Sequence, residues 1–199
     1  MNRRTAALLL ASLLALPACD ETDAVAVRVR LRDDLSGTIR TSGLALPGGD
    51  GPLQQSSEGA VWGSRVEMLC ATGTFVDVSK LRVADITFGA GSGGQGIGFA
   101  QVTIPRGPDV RWPRAFVPLS SDERKSAAGA LDPTGKSDAV GATLKIEVEL
   151  PSAVVGNGVL GKPRGTKASA EGAVATLVVP IDTMSTPGDP VVWHLTWQK

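Results

Sequence analysis

Six short patterns in this chain carry residue types that could do chemistry, and each is judged by the element that must hold it. Gly91-Ser92-Gly93-Gly94-Gln95-Gly96 spells G-x-G-x-x-G. A dinucleotide needs that loop between a strand and a helix, because the helix N-terminus receives the pyrophosphate. Here Ile97 to Ile104 reads as a strand, so the glycines are expected to form a hairpin loop. Pro133-Thr134-Gly135-Lys136-Ser137 ends like a phosphate-binding loop, but its leading position is Ala130, and a loop and a strand follow where a helix is required. His194 is the only histidine. It sits in a strand-like segment, lacks the partners a multi-histidine metal site needs, and no serine occurs in a G-x-S-x-G context. Glu147 and Glu149 share a strand face about 7 Å apart, a spacing open to glycosidase chemistry. Their alternation with apolar residues is the ordinary pattern of a solvated face. No catalytic residue, metal site or cofactor is expected, and the chain reads as a non-enzyme.

The other two patterns are basic. Arg28, Arg30 and Arg32 project from one face of the first strand, with Arg40 on the returning strand; Lys162, Arg164 and Lys167 form a second basic loop. Three like charges on one face suit anionic lipid headgroups. The competing expectation is that Glu147 and Glu149 pair with these arginines across the sheet.

The N-terminus reads as an export address. Arg3 and Arg4 precede an apolar stretch from Ala6 to Leu16, too short for a bilayer core of about 30 Å. Leu16-Pro17-Ala18-Cys19 resembles the lipobox of bacterial lipoproteins, which implies cleavage after residue 18 and acylation of Cys19. Residues 1–18 are thus expected to be a signal peptide, residues 19–23 the lipidated cysteine and its tether, and residues 24–199 one domain. Multiple acyl chains on Cys19 would anchor stably at a membrane facing the periplasm or the exterior. Asp20 after the cysteine resembles the pattern of lipoproteins kept at the inner membrane.

Composition narrows the partners. The chain has 20 basic and 20 acidic residues, and residues 1–18 hold two arginines and no acid, so the remainder carries 18 bases against 20 acids. That balance gives no field for nucleic acid. Tyr is absent, and four Trp with four Phe leave few rings for stacking on sugars. The two cysteines allow exclusive states: an acylated Cys19 with Cys70 a buried thiol, or a Cys19–Cys70 disulfide in an oxidising envelope.

The positioning elements are mostly strands. Val25, Val27, Val29 and Leu31 alternate with the arginines, Asp33 to Gly37 turns, and Thr38 to Leu46 returns, a hairpin by period. Residues 47–52 are a Pro/Gly loop. Val61, Trp62, Val66, Leu69 and Cys70 recur at three- and four-residue spacing, so a helix is expected over 57–70, capped by Ser56 or Ser57. Strands are expected at 74–78, 81–88 and 97–104, an irregular stretch at 105–120, a capped helix from Ser121 towards Ala130, a polar loop at 132–141, and strands at 143–150, 173–180 and 190–198. The sum is an α+β domain, mainly antiparallel sheet with one or two short helices; the alternative is an all-β sandwich.

Lys145 to Pro151, then Val154-Val155 and an expected turn at Gly156-Asn157-Gly158, then Glu171-Gly172 and two strands, resemble the C-terminal half of LppM-like bacterial lipoproteins. The hairpin around Ser36-Gly37-Thr38 and the Cys70 segment are also similar. The resemblance implies an α+β domain with a role in binding lipids or lipoglycans and offers no catalytic residues. The expectation is a non-catalytic envelope lipoprotein that binds a lipid or an anionic membrane surface through Arg28, Arg30, Arg32 and Arg40. The alternatives are an accessory protein docking another envelope protein and, last, an envelope hydrolase.

Overall fold

The computed structural model describes residues 25–45, 58–62, 66–94, 96–120, 122–123 and 141–199. Twelve strands run in the order β1 (Ala26–Leu31), β2 (Gly37–Ala45), β3 (Glu58–Trp62), β4 (Val66–Phe75), β5 (Arg82–Val83), β6 (Ile86–Ser92), β7 (Ile97–Ile104), β8 (Thr143–Glu149), β9 (Val154–Leu160), β10 (Lys167–Glu171), β11 (Val174–Pro180) and β12 (Val191–Gln198). Helices α1 (Trp112–Phe116) and α2 (Ile181–Met184) are one turn each, and Val78–Lys80 is a 3-10 turn. The strands form a seven-stranded sheet, β10-β11-β8-β1-β2-β4-β3, and a five-stranded sheet, β5-β6-β7-β12-β9. This is a mostly-β α+β domain with the layering of a sandwich.

Period-2 alternation builds the interior. Val27, Val29 and Leu31 of β1, Leu144, Ile146 and Val148 of β8, and Ala175, Leu177 and Val179 of β11 point inward from the larger sheet. Ala100, Val102 and Ile104 of β7, with Val191, Trp193, Leu195 and Trp197 of β12, face them from the smaller one. Burying a side chain of this size contributes about 1.5–3 kcal/mol, so these facing rows dominate the fold's stability. Helix α1 adds Trp112 and Phe116, both fully buried. Asp85 holds its first turn, accepting from the backbone N–H of Arg111 at 2.7 Å and of Trp112 at 2.9 Å.

Two expectations are corrected. In the expected helix at 57–70, residues 58–62 form β3 and residues 66–70 start β4, with Glu67 to Phe75 laddered along β2. The misleading signal is adjacent apolar residues: Leu69 and Cys70 point to opposite faces of β4, yet both are buried. A strand covered on both faces loses its alternation and imitates helical spacing. β2 behaves the same way, with Thr41 to Leu44 consecutively buried.

The expected turn at Gly156-Asn157-Gly158 lies inside β9 instead, with Asn157 opposite Leu195 of β12. Close approach explains Gly156 better than turn geometry does, while Gly158 has open space around it. A Cβ on Gly156 would collide with the Thr196 hydroxyl, and Asn157 Oδ1 accepts a 2.7 Å bond from the buried Trp193 indole.

The mainly antiparallel order holds with one exception, since β1 and β8 are parallel while every other described pairing is antiparallel. At the expected helix after residue 120, Ser120 is the cap: its N–H and hydroxyl each donate to Glu123 Oε2 at 2.8 Å, and its Oγ accepts from the Glu123 N–H. The remainder of that segment, the loops at 47–52 and 132–140, and the signal-peptide and tether residues lie outside the described residues.

Candidate functional site

The parallel β1–β8 pairing decides what the arginines meet. Register sets Arg28 beside Glu147 and Arg30 beside Glu149, with Arg40 of β2 opposite Arg28 and Thr38 opposite Arg30. These residues share the outward face of the larger sheet. Arg30 Nε lies 3.1 Å from Glu149 Oε1, Arg28 Nε lies 3.8 Å from Glu147 Oε1, and Lys145 Nζ reaches Glu147 Oε2 at 3.1 Å. The basic stripe is therefore a ladder of acid–base rungs. Surface pairs of this kind contribute about 0.2–1 kcal/mol each, so the charges stay exchangeable with solvent ions.

Two adjoining depressions open on this face. One, of about 680 Å³, is lined by Arg28, Arg30, Arg40, Thr72, Thr74 and Glu147 among others. The second, of about 590 Å³, lies around Arg30, Arg32, Asp33, Asp34 and Pro151. Arg30, Thr38 and Glu149 belong to both. The structure thus brings Arg28, Arg30 and Arg40 together and leaves Arg32 just beyond the strand end, exposed in the β1–β2 turn. Beside it, the side-chain bond from Ser36 Oγ, reinforced by the Ser36 backbone N–H, holds the Asp34 carboxyl below its usual range. The chemistry on offer is binding: guanidinium donors, threonine hydroxyls and carboxylate acceptors on an open polar surface.

The remaining candidates lie apart from one another. Glu147 and Glu149 each face a cation and line the same depression as the arginines. His194 is exposed on the outward face of the smaller sheet, between Gln101 of β7 and Gly158 of β9. The G-x-G-x-x-G segment is a hairpin tip, its Gly93 N–H donating to Ile97 O at 2.7 Å. Lys162, Arg164 and Lys167 are all exposed. Among the described residues no cluster of three or more His, Cys, Asp or Glu could hold a metal ion. Residues 133–137 and Cys19 lie outside the described residues. Cys70 is buried on β4 and disulfide-bonded.

One surface was missed by the sequence reading. The outward face of the smaller sheet carries Ile97 and Phe99 of β7, 39% and 43% exposed, and β9 adds Val155 and Leu160 at 61% and 63%. The signal was present in β7, where Ile97 and Phe99 have the parity opposite to the buried Ala100, Val102 and Ile104. Apolar residues on both faces of a strand mark a second surface.

No family model matches the chain, and no curated protein matches it significantly. Among solved structures it is similar to the NMR structure of the folded domain of the Mycobacterium tuberculosis LppM protein, at 16% identity over 89% of this chain and 92% of that one, with a TM-score of 0.38. At that score the two backbones share too little for one to inform the other. Among the described residues no helix is long and apolar enough to cross a membrane.

Proposed function

We propose that this chain is a non-catalytic lipoprotein of a bacterial cell envelope that binds an anionic lipid headgroup on the outward face of its larger sheet, its membrane-anchored form being the one in which Cys19 is acylated and the Cys70 disulfide is absent. The observation that carries the reading is the grouping of Arg28, Arg30 and Arg40 around one open depression of mixed polarity, on and beside the strand that follows the tether. Glu147 and Glu149 already occupy these cations, so a headgroup must compete with them. What favours the headgroup is the negative surface potential of an anionic leaflet, which adds about 1 kcal/mol for each arginine near it, enough to match an exposed ion pair of at most about 1 kcal/mol. Arg also presents a fork that matches phosphate oxygens.

Native mass spectrometry of the mature protein with total membrane lipid extract tests this. A stoichiometric adduct of lipid mass, lost on Arg28→Ser, Arg30→Ser and Arg40→Ser together, is expected. A bare protein rules the headgroup site out. Acylation of Cys19 and a disulfide between the two cysteines are exclusive states of one molecule, and intact mass of the exported protein separates them.

A second reading has its own observation. The exposed Ile97 and Phe99 fit the docking of another envelope protein, and Phe99→Ser would abolish a cross-link to that partner while leaving lipid adducts intact.

A further inference from the structure

The sandwich has two chemically different ends. Val25 enters beside Lys145 at the start of β8, with the Lys145 N–H donating to Val25 O at 3.1 Å. The same end holds the close of β11, where the Ile181 N–H donates to Ala142 O, and the close of β7, where the Gly107 N–H donates to Met184 O. Loop 161–166 is seated there too: a Cβ on Gly161 would strike the Pro190 carbonyl, and one on Gly165 would touch the Pro180 ring. At the opposite end Ser152 bonds to Gln198 O, and the Val154 N–H donates to Gly172 O. Asp33, Asp34, Asp77 and Glu171 lie at that far end with Arg32, Lys80 and Lys199 beside them, so its charges nearly balance.

The entry end is basic. Lys162, Arg164 and Lys167 are exposed, none has an ion pair among the described residues, and no acidic residue occurs between Glu149 and Glu171. Lys167 opens β10 opposite Val178, in the row that runs through Lys145 to Ala26. Arg106 lies against Gly188 at the same end. Its acids are Asp182, which is already engaged, Asp189 and Asp109, two residues beyond Gly107. We propose that this end, through Lys162, Arg164 and Lys167, docks on an anionic lipid bilayer and fixes the orientation of the domain, with the Asp33–Asp77–Glu171 end pointing away. The inference extends the membrane-anchor reading, because six residues from Cys19 to Val25 reach at most about 20 Å, which keeps the entry end near the surface. Each cation close to an anionic leaflet strengthens association about fivefold, so three give roughly a hundredfold, screened by salt.

The test uses the full protein isolated from membranes, mixed with vesicles of pure phosphatidylcholine or of phosphatidylcholine with 30% phosphatidylglycerol (about one lipid in three, enough to set a negative surface potential). Flotation with the neutral vesicles reports the anchor alone. Amine acylation, read by mass spectrometry at each lysine, reports orientation. Slower labelling of Lys162 and Lys167 on anionic vesicles only, abolished by high salt, with Lys80 and Lys199 unchanged, is expected. Equal labelling of all four lysines, or protection of Lys80 and Lys199 instead, overturns the proposal even if the protein floats. Flotation with anionic vesicles but not neutral ones, with the same lysine pattern, removes the anchor and retains the basic end.

Discussion

Replacing Glu147 and Glu149 by Gln is expected to strengthen binding to anionic lipid while weakening the fold slightly. The two effects arise from one pair of contacts. Arg30 and Glu149 approach to 3.1 Å, but their side chains are 69% and 43% exposed, so solvent screens the pair and its loss costs at most about 1 kcal/mol. Arg28 and Glu147 are less exposed, at 30% and 27%, but sit 3.8 Å apart, and Glu147 also serves Lys145. A similar cost of about 1 kcal/mol applies there. In a chain of this size each kcal/mol moves Tm by about 2–4 °C, so the double variant should melt a few degrees lower. Binding should move the other way. Each cation released towards an anionic surface contributes about 1 kcal/mol, and two give roughly a thirtyfold gain in affinity. Vesicle titration at low ionic strength, with calorimetric melting of the same sample, reads both. A lowered Tm with unchanged affinity would refute the reasoning: the rungs would exist, but the face would not be where headgroups bind.

Asn157→Ala should lower Tm by several degrees, because it leaves the indole N–H of the fully buried Trp193 without its acceptor, at a cost of about 1–3 kcal/mol; Asn157→Asp retains an acceptor and should melt near the parent in calorimetry. Gly98→Ala should cost about 1–3 kcal/mol by forcing a methyl into the Trp197 ring, whereas Gly89→Ala, with open space around its Cα, serves as the neutral control in the same denaturant titration. Ser36→Ala should move the Asp34 carboxyl part of the way back to the ordinary range in an NMR titration, since the Ser36 N–H bond and Arg32 remain. Because the folded-state value is depressed, the stabilisation linked to Asp34 is present above the unfolded value and lost as pH falls through the folded one, so the variant should lose part of that pH dependence.

Where one face of a strand is wet, the sequence was readable. β1, β7, β8 and β12 kept their alternation, and their boundaries came out within a residue or two. β2 was recognised as the second arm of the first hairpin although part of it is covered on both faces, because the Asp33 to Gly37 turn announced it. β4 had no such turn, and adjacent buried Leu69 and Cys70 produced the helix reading. β9 failed for a different reason: its Gly156 and Asn157 answer to Thr196 and Trp193 on a strand some forty residues later, and only the folded ladder reveals that demand. The candidate face was half legible. The arginines were evident from period alone, and the two acids were named as their competing partners. That they meet on adjacent, parallel strands follows from topology, which periodicity does not encode. The ends of the sandwich were invisible for the same reason, although Lys162, Arg164 and Lys167 stood out as a basic loop.

The parallel rung pattern also bears on why arginines occupy β1 at all. A slip of one residue between β1 and β8 would turn Leu144, Ile146 and Val148 to solvent, so burial forbids it. A slip of two keeps every apolar residue inward, and the hydrophobic pattern cannot oppose it. Charge can. Moved one way, Arg28 would stand beside Lys145; moved the other, Arg30 would stand beside Pro151 and lose its partner, given the native pairing of Ala26 with Lys145. Opposite charges on neighbouring strands contribute about 0.2–1 kcal/mol, and like charges oppose pairing by a similar amount. The native register is the one that satisfies both acids and keeps Arg28 away from Lys145. The arginines therefore specify strand register whether or not a ligand is present. Their availability to a headgroup follows from how weakly each exposed rung is held, which is the quantity the Glu147 and Glu149 variants measure.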